Sequence, residues 1–226
     1  MKHKPNLIVM LTYNDLTVHD AAEIFDMCRD SGAEYWGFKE EGLLLPDMKE
    51  LFGEIKRSGK KAVLEVVSYT EAEGIMGAEM AAECGVDIMM GSMYSEEIKK
   101  ICHDNGIRYM PFVGDITGRP SVLDGDTDDM IRQANDVISR GADGIDLLAY
   151  RYTGDCEDLI RKFLSGVDAP VCIAGSVNTF DRLDLIKDVS PWAFTIGSAF
   201  FDHDFGDGIR SQIETVIKYM ESGHRV

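Results

Sequence analysis

Stretches with apolar residues at helical spacing alternate along this chain with short apolar runs of strand length, and the two are joined in a fixed way. Six times a helix-patterned stretch ends at a glycine (Gly32, Gly59, Gly85, Gly106, Gly141 and Gly166), and an apolar run follows at once. These runs cover 35–38, 62–67, 86–90, 107–113, 145–149 and 171–174. Glycine just past a helix accepts the left-handed conformation that closes the last turn, so each glycine predicts a helix-to-strand junction. An opening run at 7–11 and a last one at 194–196 bring the β units to eight.

The helical stretches carry their own signals. The second follows Pro46 and sets Met48, Leu51, Phe52 and Ile55 at i, i+3, i+4, i+7, one buried face. The third starts at Thr70, with Glu73 at capping-box spacing, and the fourth near Ser95, whose Glu-Glu follow-on suits a helix start. The others are predicted over 18–31, 126–140, 156–164, 180–188 and 209–221, and the longest loop is 114–125. Eight β-then-α units predict a single-domain (β/α)8 barrel, a TIM barrel, spanning 1–226 without a Pro/Ser/Gly-rich linker. A doubly wound open sheet alternates in the same way, but the count of eight and the lack of Gly-x-Gly-x-x-Gly after the first strand favour the barrel. Trp36 and Trp192 are expected to pack against the outer helices.

The net charge of −17 speaks against a nucleic-acid partner, since a phosphate backbone needs a basic face. Met1-Lys2-His3-Lys4-Pro5 leads straight into the first strand with no signal-peptide pattern, and no apolar run approaches the ~20 residues that span a bilayer. Cys28, Cys84, Cys102, Cys156 and Cys172 are odd in number and contain no Cys-x-x-Cys, so reduced, structural thiols and a cytoplasmic setting are expected. No membrane partner is expected, and the oligomeric state is left open, a homo-oligomer included.

Active sites of such barrels lie at the C-terminal ends of the strands. There Lys39 closes the second strand, Glu65 interrupts the third, and Asp146 interrupts the sixth. Buried charges are costly unless paired, so these form either an ion cluster that holds the barrel interior or an acid-base set facing the cavity. The seventh strand ends in Gly175-Ser176 and the eighth in Gly197-Ser198. Taken singly, each is an ordinary strand-to-helix turn. As a pair on the two strands that often carry a phosphate in such barrels, they predict an anion site of backbone N–H groups and hydroxyls. Arg151 after the sixth strand and Arg119 in the long loop are candidate substrate-binding cations at the same rim. Asp115 could join Glu65 and Asp146 on a divalent metal, although the spacing is unspecific. Of the histidines His3, His19, His103, His203 and His224, only His203 falls at the right end of a strand.

The stretch Cys84-Gly85-Val86-Asp87-Ile88-Met89-Met90-Gly91-Ser92, the run Ile107-Arg108-Tyr109-Met110-Pro111-Phe112-Val113, and the ends Cys172-Ile173-Ala174-Gly175-Ser176-Val177-Asn178 and Thr195-Ile196-Gly197-Ser198-Ala199 resemble ribulose-phosphate-binding barrels, in particular the 2-keto-3-deoxy-6-phosphogluconate aldolase type. The resemblance runs loosely over most of the chain. It implies the barrel and a phosphate at the Gly-Ser ends. It does not imply that aldolase's reaction: the position of its Schiff-base lysine carries Asp146 here, and that of its catalytic glutamate falls at about Gly37. A carboxylate cannot form the iminium. Lys39, two residues beyond Gly37 and on the same strand face, is the one amine placed to stand in. The sequence thus points to proton transfer next to a carbonyl of a small phosphorylated sugar or keto acid, as in an isomerase, epimerase or carbon-carbon lyase. Glu65 or Asp146 would move the proton, Lys39 would stabilise the enolate oxygen, and no cofactor is required. A divalent-metal-dependent lyase and a non-catalytic phosphometabolite sensor, like the glycerol-phosphate antiterminator barrels, are the alternatives.

Overall fold

The computed structural model describes residues 4–222. The readings made on Met1-Lys2-His3 and His224 lie outside the described residues. After β1 (Asn6–Met10) the chain makes a small hairpin, β2 (Thr12–Tyr13) and β3 (Leu16–Thr17), before α1 (Ala21–Cys28). Next come β4 (Tyr35–Lys39), α2 (Leu45–Arg57), β5 (Lys61–Val66), α3 (Glu71–Cys84), β6 (Ile88–Gly91), α4 (Glu96–Asp104) and β7 (Arg108–Met110). A second hairpin, β8 (Asp115–Thr117) and β9 (Val122–Asp124), precedes α5 (Thr127–Ser139) and β10 (Ile145–Leu147). The chain is completed by α6 (Cys156–Gly166), β11 (Val171–Ile173), α7 (Phe180–Val189), β12 (Ala193–Ile196), α8 (Ser198–Phe201) and α9 (Ile209–Glu221).

Eight strands form one sheet in the order β10-β11-β12-β1-β4-β5-β6-β7, and every pairing in it is parallel. The two ends meet where Phe112 bridges Asp146, and the Asp146 N–H donates to the Pro111 carbonyl at 3.0 Å. The sheet therefore curls into the expected (β/α)8 barrel. β7 is shorter than the apolar run 107–113 because Pro111 has no N–H to extend the ladder. β10 stops at Leu147 because Ala149–Arg151 turns into a 3-10 helix, which places Arg151 over the mouth.

Local sequence explains the helix ends. The Thr70 hydroxyl accepts from Glu73 N–H at the start of α3 and donates to the Glu73 carboxylate. At the starts of α4, α5 and α6 the side-chain oxygens of Ser95, Asp126 and Asp155 accept the N–H of Glu97, Asp128 and Glu157. Five of the six junction glycines take positive φ, as expected. Gly166 does not: it is the last residue of α6, and a Cβ there would come within 2.9 Å of Ile131, so its smallness serves the contact between α5 and α6.

One hydrophobic layer lies between sheet and helices, where Trp36 packs edge-on to Phe25 of α1 at 5.1 Å. A smaller cluster, including Ile8, Met10, Val63, Met90, Met110 and Cys172, fills the barrel interior. Trp192 differs from expectation. It packs against this interior cluster, edge-on to Tyr35 at 5.7 Å and under the Arg108 guanidinium at 4.7 Å, and so closes the N-terminal end of the barrel. All five cysteines are free, and four of them are buried. Among the described residues no helix is long and apolar enough to cross a membrane.

Candidate active site

Strand alternation decides what faces the interior. On β4, Gly37 and Lys39 share the inward face, and on β5 Val63 and Glu65 share it; Lys39 and Glu65 are register partners. Asp146 on β10 is the register partner of the interior residue Cys172. All three charged residues picked from the sequence thus converge at the C-terminal end of the barrel, with Lys39 7% exposed, Glu65 8% and Asp146 0%.

They do not share one environment. Lys39 and Glu65 line the mouth cavity, whereas Asp146 does not and lies sealed beneath it. Burial, with the Glu65 charge adding to it, drives the Asp146 pKa well above the ordinary carboxylate range; Lys39 opposes this only in part. Neither Asp146 oxygen has a hydrogen-bond partner among the described residues. Asp146 thus lies under the floor of the site with its ionised form disfavoured. Burial lowers the Lys39 pKa, but the Glu65 charge and the Asp15 hydrogen bond outweigh that and leave it above its usual value. The amine stays protonated.

Asp15, which the sequence motifs do not single out, organises the site. It sits at the tip of the β2–β3 hairpin, with φ of 49° at Asn14 and 64° at Asp15. Positive φ at both central residues is the type I′ turn that suits a two-residue hairpin. The Asp15 carboxylate accepts from Lys39 Nζ at 2.7 Å and from the two Arg151 terminal nitrogens at 3.0 and 3.2 Å. Burial raises its pKa, but the Arg151 and Lys39 hydrogen bonds and charges outweigh that and hold it at about 2. Thr17 ties the hairpin to β4, its hydroxyl donating to the Lys39 carbonyl at 2.8 Å and accepting from the Lys39 N–H at 3.1 Å. At the other end Tyr13 hydrogen-bonds Asp202 at 3.1 Å, and the Asn14 N–H reaches Ser198 Oγ at 3.3 Å. The hairpin is a strap from the β4 side of the mouth to the β12 side.

The cavity under this strap encloses about 150 Å³. Gly175, Ser176, Gly197 and Ser198 all line it, together with Arg151, Lys39 and Glu65. Gly175 has φ of 101°, and a Cβ there would meet the Arg151 Cγ at 3.2 Å, so glycine lets the arginine stem lie alongside this end. Arg182 holds the same loop from outside by donating to the Ser176 carbonyl and the Asn178 amide oxygen. The helices after the two ends differ from a pair of bare N-termini: α7 starts only at Phe180 under a Thr179 cap, and α8 has four residues. Asp202 and Asp204 give the far wall acidic character, while His203 between them is exposed and does not line the cavity.

The other rim candidates lie apart. Arg119 pairs with Glu41 at 2.5 Å and donates to the Val67 carbonyl at 2.9 Å; it does not line the main cavity but a side recess with Glu40 that shares Asp15, Lys39 and Ser121 with it. In that recess burial lifts the Glu40 pKa to about 7, although its Oε1 accepts the Val67 N–H at 2.8 Å. Asp115 is exposed on β8, paired in register with Asp124, and does not line the cavity. Among the described residues no group of three or more His, Cys, Asp or Glu side chains is placed to hold a metal ion.

No protein-family model and no curated protein matches the chain. Solved structures do. Orotidine 5′-phosphate decarboxylase from Pyrococcus horikoshii OT3 superposes with a TM-score of 0.70 at 10% identity, covering 96% of this chain and 100% of that one. A 4-hydroxy-2-oxoglutarate/2-dehydro-3-deoxyphosphogluconate aldolase from TTHB1 gives 0.67 at 13%, covering 95% and 94%. Phosphoribosyl anthranilate isomerase in complex with a reduced 1-(o-carboxyphenylamino)-1-deoxyribulose 5-phosphate gives 0.62 at 17%, covering 96% and 98%. At these identities the likeness is one of fold, a (β/α)8 barrel. Each of the three names carries a phosphorylated compound, and their reactions differ from one another.

Proposed function

We propose that the chain is an enzyme that moves a proton next to the carbonyl of a small sugar phosphate, as an isomerase, epimerase or aldolase-type lyase. The observation that carries this reading is the convergence, in one cavity, of both Gly-Ser ends with Lys39, Glu65 and Arg151. Backbone N–H groups and hydroxyls at Gly175-Ser176 and Gly197-Ser198 hold the phosphate, and Arg151 beside Gly175 supplies its counter-charge. Phosphate binding at that end sets the carbonyl between Lys39 and Glu65. The protonated Lys39 stabilises the enolate oxygen, and Glu65, the carboxylate that lines the cavity, takes the proton. Asp146 does not line the cavity, and burial beside Glu65 disfavours its ionised form. The carboxylates Asp202 and Asp204 on the far wall accept sugar hydroxyls and repel a second carboxylate, which favours a sugar phosphate over a phosphorylated keto acid.

The test is proton exchange in D2O, followed by NMR, across a panel of short sugar phosphates. The expected result is deuterium entering the carbon next to the carbonyl of at least one, slowed about a hundredfold or more in Glu65→Gln. Saturable binding with no exchange and no turnover would make the chain a phosphometabolite sensor. No binding at all would overturn the reading.

A further inference from the structure

Under the reading above, Arg151, the counter-charge of the phosphate, already holds an anion: the protein's own Asp15, which it shares with Lys39. One carboxylate is shared between two cations, at 2.7 Å from Lys39 Nζ and at 3.0 and 3.2 Å from the Arg151 nitrogens, with the Asp15 side chain 16% exposed. Asp15 lines the same cavity as Gly175 and Ser176, and Arg151 runs directly past Gly175. We propose that Asp15 is an internal stand-in for the substrate's anionic group, and that a dianionic phosphate monoester binds by displacing it from Arg151.

The substitution makes Asp15 a specificity-determining residue. The three groups together carry one net positive charge. A monoanion that takes the place of Asp15 on Arg151 exchanges one single charge for another and gains nothing in Coulomb energy, whereas a dianion brings twice the charge to Arg151 and the Gly-Ser amides. Ligands carrying only a carboxylate are thereby rejected, and phosphate monoesters are accepted. The strap is built for such a movement at its tip. Thr17 fixes its base to β4 with two buried hydrogen bonds, whereas the tip reaches the β12 side through the exposed Tyr13–Asp202 and Asn14–Ser198 contacts and a Tyr13–Phe201 ring contact at 5.5 Å. Inside the cavity Thr12 is 6% exposed, and its hydroxyl has no hydrogen-bond partner among the described residues, a donor left over when Asp15 is in the seat.

Titration calorimetry with inorganic phosphate at pH 8, where it is a dianion, tests this on the whole chain as it is. The variants are Asp15→Asn and, as the charge control, Asp204→Asn. Asn is tolerated at positive φ, so the turn survives. Removing the internal competitor removes the fractional occupancy that weakens apparent affinity, so Asp15→Asn is expected to bind phosphate about tenfold more tightly or better. Asp204→Asn removes the same charge from the same cavity without touching Lys39 or Arg151, and its gain is expected to be a small fraction of that. Acetate should bind measurably only to Asp15→Asn, and adding Arg151→Gln to that variant should abolish the phosphate gain. Equal gains in Asp15→Asn and Asp204→Asn, or weaker binding in Asp15→Asn, overturn the stand-in while leaving the phosphate site intact. No heat with wild type or any variant overturns both. If Asp15→Asn melts differently from wild type, Asp15→Ser serves as the second variant with the same expectation.

Discussion

Replacing Asp146 by asparagine tests the electrostatics of the barrel floor. Asp146 is fully buried, both its oxygens lack partners, and its pKa is pushed well above the carboxylate range by burial and by Glu65. The native state therefore holds a proton that the unfolded chain releases near its ordinary value of about 3.9. Because the native state binds more protons, stability falls as pH rises from that value through the folded pKa; it is fully present only below the unfolded one. The slope from this one group approaches about 1.4 kcal/mol per pH unit. Asparagine keeps the shape and has no proton to hold, so the difference in stability, Asp146→Asn minus wild type, should climb with pH, by no more than that slope. For a chain of this length, the upper limit is about 3 to 6 °C in Tm per pH unit. Urea unfolding and thermal melts at pH 5, 6 and 7 measure it. A difference that stays flat, or that turns against Asp146→Asn as pH rises, would show an ionised Asp146 paired with Lys39 and would refute the neutral floor.

Other substitutions separate the remaining parts. Glu40, with its pKa lifted to about 7 by burial, gives a similar but narrower effect. Glu40→Gln should gain on wild type between about pH 4.5 and 7 and hold a constant lead above that, as read by urea unfolding. Gly37→Ala would set a Cβ 2.6 Å from the Val63 carbonyl oxygen and 3.0 Å from Met10 Sδ, so a loss of about 1–3 kcal/mol is expected by the same assay. Thr17→Val removes two buried hydrogen bonds to the Lys39 backbone and should cost about 1–3 kcal/mol, with a lowered Tm. Lys39→Met should leave the barrel folded and abolish carbonyl-adjacent proton exchange, measured by NMR in D2O.

The barrel could be read from the sequence because each unit repeats the same physical event, a helix closing at glycine and a strand starting at once. Where expectation and structure part, a specific residue is responsible. Pro111 cuts β7 short, Gly166 serves packing rather than a left-handed turn, and Trp192 turns into the barrel end rather than toward the helices. Lys39, Glu65 and Asp146 could be picked out because a charge inside an apolar strand run is conspicuous. Their separate roles could not, since the depth of a residue along the barrel axis depends on strand stagger: register sets Glu65 beside Lys39 in the cavity wall and leaves Asp146 below it. Arg151 and Arg119 look alike as loop cations, yet the 3-10 turn brings one into the cavity and the Glu41 pair draws the other aside. Asp15 lies in a polar loop where an aspartate is unremarkable. Its signal was the Thr12-Tyr13-Asn14-Asp15-Leu16-Thr17 pattern, a two-residue turn between short strand pairs, which places an acid over the first strand's end.

The most direct test is a crystal structure of the chain soaked in a short sugar phosphate. The expected density has its phosphate between Gly175-Ser176 and Gly197-Ser198, Arg151 turned onto it from Asp15, and the carbonyl within hydrogen-bond reach of Lys39. A phosphate bound elsewhere, or an empty cavity at saturating ligand with both Gly-Ser ends unchanged, would contradict it.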